Sequence, residues 1–214
     1  MTVVGIVPAA GRGERLGGQV PKALVVCAGR PLLEWSLDVL RAVCDRVVVA
    51  VPPGEEEGPD RVAGGASRSE SVRNALAAAP EAGVAVVHDA ARPLVTAELV
   101  RACVGAVEAG WDGAVAAARV TDTVKEATGP DLRVERTLDR SRLWAIQTPQ
   151  AFRAETLRRA LDAPADVLAA ATDDAMLVEA GGGSVRIVEA PPENLKVTGP
   201  LDLERAEAIL RARC

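Results

Sequence analysis

Residues 2–24, TVVGIVPAAGRGERLGGQVPKAL, decide how the rest of the chain is read. Val3 to Val7 is a short, nearly continuous apolar run ended by Pro8, which predicts a strand buried on both faces of a parallel sheet. Behind it comes a loop holding Pro8, Ala9, Ala10, Gly11, Arg12, Gly13, Glu14, Arg15 and Leu16, which then reaches Pro21 and Lys22. Glycines directly after a first strand let backbone amides approach an anion, and Arg15 and Lys22 add the charge that a triphosphate needs. An ordinary strand-to-helix turn with solvated arginines would explain a lone GxG equally well. Leu16 stands where the dinucleotide fingerprint requires its third glycine, and no glycine is followed by Lys and then Ser or Thr, so two familiar nucleotide motifs are excluded.

Further apolar runs at Val47 to Val51, Val84 to Val87 and Ala114 to Ala118 alternate with helical patterns over Leu32 to Val43, Ser69 to Ala79 and Ala97 to Glu108. A capping box from Ser67 to Glu70 starts the second helix, and Thr96 precedes the third. Alternation of this kind predicts a mostly parallel α/β sheet covered on both faces, with ligands at the carboxyl ends of its strands. Polar clusters at residues 9–22, 64–73 and 88–93 fall at those ends. After Ala118 the pattern breaks: Thr121 to Glu126 and Leu132 to Thr137 flank the turn formers Thr128, Gly129, Pro130 and Asp131, which predicts a hairpin arm. Helices return over Arg153 to Leu161 and Asp173 to Ala180, followed by a strand at Val185 to Val188 and a last helix from about Leu201. No linker divides the chain, so one domain over residues 1–214 is expected, with an arm at about 121–147.

Aromatic residues are limited to Phe152 and three tryptophans, so the core must be aliphatic. A net charge of -5 argues against a globally basic nucleic-acid surface. No apolar run approaches a membrane span and residues 1–11 lack a signal-peptide pattern, so a soluble cytoplasmic protein is expected. Cys27, Cys44, Cys103 and Cys214 lack CxxC spacing, with His88 the sole histidine, and read as thiols of a reducing compartment rather than as a zinc site.

The loop pattern GxGxRL followed by ProLys resembles the signature of nucleotidyltransferases that activate sugars and alcohols. Downstream come GGxxRxxSV from Gly64 to Val72, HDAARP from His88 to Pro93, DTVK from Asp122 to Lys125, and DR at Asp139 and Arg140. QTPQ from Gln147, TDDA from Thr172 and NLKVT from Asn194 follow in order. Together these resemble the 2-C-methyl-D-erythritol 4-phosphate cytidylyltransferase family of the non-mevalonate isoprenoid pathway, over nearly the whole chain. The resemblance implies a Rossmann-like nucleotidyltransferase domain whose hairpin arm makes a homodimer. It also implies transfer of CMP from CTP to methylerythritol phosphate with Mg²⁺, no nucleic acid and no membrane. A ribitol 5-phosphate cytidylyltransferase and a nucleotide-binding sensor without turnover are the alternatives.

The resemblance also implies roles for individual residues. Arg15 and Lys22 stabilise the transition state, while Arg140 and Lys196 orient the methylerythritol phosphate. The nucleotide lies against Pro8, Ala9, Ala10, Gly11, Gly13, Gly65, Ala66 and Ser71. Asp89, Arg92, Thr123, Thr148 and Thr172 serve the substrate, with Asp89 also approaching the metal. Each has a plainer structural reading: Asp89 pairing with Arg92, Ser71 as a polar residue early in a helix, Arg140 in a surface ion pair. His88 is read as structural, because the attacking phosphate oxygen is already ionised at neutral pH. Two departures stand out: Ala66 occupies a position that is acidic in some members, and Pro52 to Val62 is short.

Overall fold

A computed structural model describes residues 1–11 and 21–213. In chain order the strands and helices begin with β1 (Val3–Pro8), β2 (Val26–Cys27), β3 (Arg30–Pro31), α1 (Leu32–Arg41), β4 (Arg46–Val51) and β5 (Arg61–Ala63). They continue with α2 (Arg68–Ala77), β6 (Val84–Val87), α3 (Ala97–Glu108), β7 (Gly113–Arg119), β8 (Lys125–Thr128) and β9 (Arg133–Thr137). The last are β10 (Trp144–Arg153), α4 (Ala154–Leu161), α5 (Ala165–Ala170), α6 (Asp174–Ala180), β11 (Val185–Glu189) and α7 (Pro200–Arg213).

Among the described residues seven strands form one sheet in the order β11-β7-β10-β6-β1-β4-β5, and only β10 runs antiparallel to its neighbours. Alternation along each central strand divides the core into two layers. Val3 and Val7 of β1, Val47 and Val49 of β4, and Val84 and Val86 of β6 face a cluster with Leu37 and Leu40 of α1 and Val100 and Cys103 of α3. Val4, Ile6, Val48, Ala50, Ala85 and Val87 face the opposite cluster, built on Val72 and Leu76 of α2, Leu157 of α4 and Leu177 of α6. A continuous apolar run is what a strand covered on both faces requires, and Val4, Ile6 and Val7 are fully buried.

The expected capping box is present. Ser67 Oγ accepts from the Glu70 amide while the Glu70 carboxylate accepts from the Ser67 amide, and Thr96 caps α3 in the simpler way. Two expectations need correction. The first strand of the arm begins at Lys125 rather than Thr121, so Thr128 belongs to the strand and the turn lies between it and Arg133. And the segment containing QTPQ is not merely a motif but part of β10, the strand that joins the two halves of the sheet. Pro149 conceals it, because proline interrupts a ladder and marks an edge or a bulge. The register jumps between Ile146 opposite Ala117 and Gln150 opposite Val115, so Gln147, Thr148 and Pro149 leave the ladder at the mouth of the sheet.

Candidate active site

The order of the strands reverses at β1: β4 follows it on one side, and β6, which comes later in the chain, lies on the other. Open α/β sheets bind ligands at such a point, beyond the carboxyl ends of the strands. Two clefts open there. The first, of about 300 Å³, is lined by Pro8, Ala9, Ala10, Gly11 and Lys22 from the β1 loop and by Gly65, Ala66 and Ser71, with Asp89 and Lys196. The second, of about 460 Å³, is lined by Arg92, Thr148 and Thr172 beside Gln147, Gln150 and Asp173. Arg68, Asp89 and Lys196 line both and form the wall between them.

Backbone packing shapes the first cleft. Gly64 donates its amide to the Val51 carbonyl at 2.8 Å, so the loop before α2 is tied to the carboxyl end of β4. A Cβ on Gly65 would stand 2.3 Å from the Glu70 Cβ, which is why no side chain fits. The Ser71 hydroxyl accepts from the Gly65 amide at 3.0 Å and donates to the Ser67 carbonyl at 3.0 Å, so it frames the loop and leaves the Gly65 amide with a partner. Lys22 opens a short 3-10 helix to Leu24, and its amide reaches the Gly11 carbonyl at 3.4 Å, joining the described residues on either side of the glycine-rich stretch. Gly13 and Arg15 lie outside the described residues.

The wall is electrostatic. Asp89 follows β6 and His88, and its Oδ1 accepts from Arg68 Nε at 3.3 Å while its Oδ2 accepts from Lys196 Nζ at 2.7 Å. Burial would raise the Asp89 pKa, but Arg68 and Lys196 outweigh it and hold the carboxyl well below the usual range. Sequence reasoning quoted Arg68 within a motif but assigned it no role. Burial lowers its pKa, yet the charges of Asp174 and Asp89 more than reverse this and raise it.

A second network fixes the bulge of β10 against the loop after β6. The Asp89 amide donates to Thr148 Oγ1 at 3.0 Å, and that hydroxyl also meets His88 Nδ1 at 3.2 Å. His88 Nε2 lies 3.2 Å from the Arg92 carbonyl, which can only accept. The proton therefore sits on Nε2, and Nδ1 accepts from Thr148. Complete burial pushes the His88 pKa down to about 4, in keeping with a neutral ring. Both ring nitrogens of His88 are thus engaged within the fold, and Thr148 already holds two partners. Arg92 does not pair with Asp89: its Nη1 donates to the Asn194 carbonyl at 2.8 Å, and among the described residues no carboxylate lies within 4.0 Å of it. Burial lowers its pKa, and its Nε has no hydrogen-bond partner.

Thr123 and Arg140 line neither cleft. Both are exposed on the arm, where the Arg140 guanidinium donates to the Thr121 carbonyl. β8 and β9 form a separate two-stranded sheet, with Leu132 74% and Val134 54% exposed. The thiols of Cys27, Cys44 and Cys103 are buried, free and pushed by burial up to about 11, about 12 and about 12. Cys214 lies outside the described residues. Among the described residues no helix is long and apolar enough to cross a membrane.

A mostly parallel sheet, a glycine loop behind its central strand and two clefts divided by charged groups place the chain in the class of Rossmann-like nucleotidyltransferases. Residues 3–212 match the family model for 2-C-methyl-D-erythritol 4-phosphate cytidylyltransferase, and the chain belongs to that family. It is 46% identical over 224 residues to the protein of that name from Nocardia farcinica, covering 99% of this chain and 95% of the relative. The protein of the same name from Frankia casuarinae is 48% identical, with 99% and 82% covered. The crystal structure of 2-C-methyl-D-erythritol 4-phosphate cytidylyltransferase from Thermus thermophilus superposes with a TM-score of 0.83 at 37% identity, covering 99% of this chain and all of that one.

Proposed function

We propose that this protein transfers CMP from CTP to 2-C-methyl-D-erythritol 4-phosphate, forming 4-diphosphocytidyl-2-C-methyl-D-erythritol and pyrophosphate for isoprenoid synthesis. The observation that carries this reading is the shared wall of Arg68, Asp89 and Lys196 between two clefts. A nucleotide in the first cleft and an alcohol phosphate in the second meet at that wall. An oxygen of the alcohol phosphate attacks the α-phosphorus of CTP in line, a new P–O bond forms, and the bond to the departing pyrophosphate breaks. The attacking oxygen is already ionised, so no general base is required. Catalysis then rests on positioning and on cations aimed at the developing charge. Lys22, at the end of the glycine loop, has that task together with Arg15. Arg92, buried and without a carboxylate partner among the described residues, suits the phosphate of the second substrate.

Mg²⁺ fits the donor set as a cation shared between protein and nucleotide. Among the described residues no group of three or more His, Cys, Asp or Glu is placed to hold a metal alone, and Asp89 is an ionised carboxylate at the wall. Magnesium commonly uses one or two carboxylates with substrate phosphates in this way. Asp89 and the CTP phosphates would hold it, and it would neutralise charge on the phosphate chain.

Residues 1–214 act as one nucleotidyltransferase unit, within a homodimer in the cytoplasm. An isolated two-stranded hairpin is marginal in water, and exposed Leu132 and Val134 suit the arm of a second copy. Arg140 and Thr123, which line neither cleft of their own chain, would then serve the partner's site. Buried free thiols accord with a reducing compartment. The test is to mix the protein with CTP, Mg²⁺ and either methylerythritol phosphate or ribitol 5-phosphate, following pyrophosphate release and the diphosphate product by phosphorus NMR. Turnover with the first alcohol phosphate is expected. Preference for ribitol 5-phosphate, or nucleotide binding without pyrophosphate release from either, overturns the reading.

A further inference from the structure

The wall between the clefts has a layer behind it. Asp174, the first residue of α6, is fully buried, and its Oδ2 accepts from Arg68 Nη1 at 2.7 Å. Arg68 uses a different nitrogen, Nε, for Asp89, and Asp89 uses its other oxygen for Lys196. Carboxylate, guanidinium, carboxylate and ammonium therefore alternate along one chain of contacts, with side-chain exposures of 0% at Asp174, 30% at Arg68, 13% at Asp89 and 41% at Lys196.

A buried ion pair is a poor route to stability, since desolvating both charges offsets much of their attraction and apolar side chains of similar volume often serve better. Among the described residues Asp174 Oδ1 has no hydrogen-bond partner, and burial raises the Asp174 pKa although Arg68 works against it. The start of α6 is fixed by other means. Asp173 Oδ1 accepts from the Met176 amide at 2.9 Å, and Asp173 Oδ2 accepts from Gln150 Nε2 at 2.9 Å. Leu177 and Val178 anchor the helix in the core. What Asp174 alone holds is Arg68.

We infer that Asp174 is a positioning residue for the transfer reaction. It fixes the Arg68 guanidinium from behind, so that Arg68 takes one oxygen of Asp89 and leaves the other to Lys196 where nucleotide and alcohol phosphate meet. This rests on the reaction proposed above. With the Asp174 charge removed, Arg68 is free to close on both oxygens of Asp89 and displaces Lys196 from its acceptor.

The test compares wild type with Asp174→Asn, which keeps the shape and removes the charge. The expected result is a kcat lower by about tenfold to a hundredfold, the usual loss when a group orienting a site ligand is removed, with KM for CTP within about threefold. Arg68→Ala lowers kcat at least as far. Adding Asp174→Asn to it changes the kinetic constants no further but raises the melting temperature, because the buried carboxylate has lost its partner. A purely structural Asp174 does not produce that opposition. Unchanged kcat in folded Asp174→Asn, or kinetic losses that multiply in the double variant, overturns the inference. If Asp174→Asn does not fold, Arg68→Lys decides. An ammonium lacks the planar fork that spans both carboxylates, so kcat falls again, and wild-type kcat refutes the assignment. An inactive wild type removes the proposed reaction and this inference together, whereas an active wild type with unaffected variants removes the inference alone.

Discussion

Gly64→Ala tests how the first cleft is built. A Cβ at Gly64 would stand 2.5 Å from the Ala10 Cβ, 3.1 Å from Ser71 Oγ and 3.2 Å from the Val51 carbonyl oxygen. Carbon atoms in contact sit about 3.5 to 4.0 Å apart, so Ala10 and residue 64 must separate by about 1 Å or more. Neither side yields easily. The Ala9 amide donates to the Ala50 carbonyl at 2.7 Å, and the Gly64 amide is tied to Val51 at 2.8 Å. Overpacking of this size costs about 1 to 3 kcal/mol, and the melting temperature of a chain of this length falls by about 2 to 4 °C per kcal/mol. The larger effect is on rate: a misplacement of about 1 Å costs about a hundredfold, so kcat/KM for CTP should fall by that order. Ala10→Gly removes the carbon atom that the new side chain meets. The double variant should regain most of the melting temperature and at least about tenfold of the lost kcat/KM, for the same reason. The assays are calorimetric melting and pyrophosphate release at saturating alcohol phosphate with CTP varied. Wild-type kcat/KM in folded Gly64→Ala, or no recovery on adding Ala10→Gly, refutes the close approach as the origin of the cleft.

Lys22→Ala should lower kcat by about a hundredfold to a thousandfold while CTP affinity, measured by calorimetry, changes far less; unchanged turnover would remove Lys22 from the chemistry. His88 has a folded pKa pushed down to about 4 against an ordinary value of 6.5, so between those values the unfolded chain binds more protons than the native one. Its contribution to stability is complete above about pH 6.5 and is lost as pH falls towards 4, by about 3 kcal/mol. Denaturant unfolding across that window should show this slope, and His88→Asn should flatten it; an equal slope in the variant contradicts a neutral buried ring. Mixing inactive Arg140→Ala with inactive Lys22→Ala under subunit exchange should restore up to half the wild-type activity of each heterodimer. Verified heterodimers without activity exclude a site shared between subunits.

Several elements were legible because their causes are local. The apolar runs of β1, β4 and β6 announce strands covered on both faces, and Ser67, Glu70 and Thr96 announce helix starts, because capping is settled within one turn. Lys22 could be named because a cation beside a glycine loop at a strand end suits an anion, while Gly65, Ala66, Asp89 and Lys196 were named through the resemblance of their motifs to a family, and all five line the first cleft. β10 stayed hidden because Pro149 breaks its pattern, while its pairing partners lie in β6 and β7, far away in sequence. Arg68 and Asp174 are separated by 106 residues, so no spacing rule could show that one guanidinium joins them to Asp89. The fates of Thr148 and Ser71 were likewise tertiary matters. A hydroxyl in a sequence is only a capacity for hydrogen bonds, and the fold decided that Thr148 meets His88 and the Asp89 amide while Ser71 holds Gly65. The sequence by itself determined the alternation of strand and helix and the aliphatic core, since these follow from periodicity and residue chemistry. Only the tertiary structure decided which charges face one another across the clefts, because electrostatic partnership depends on distance and burial, and neither is a property of sequence order.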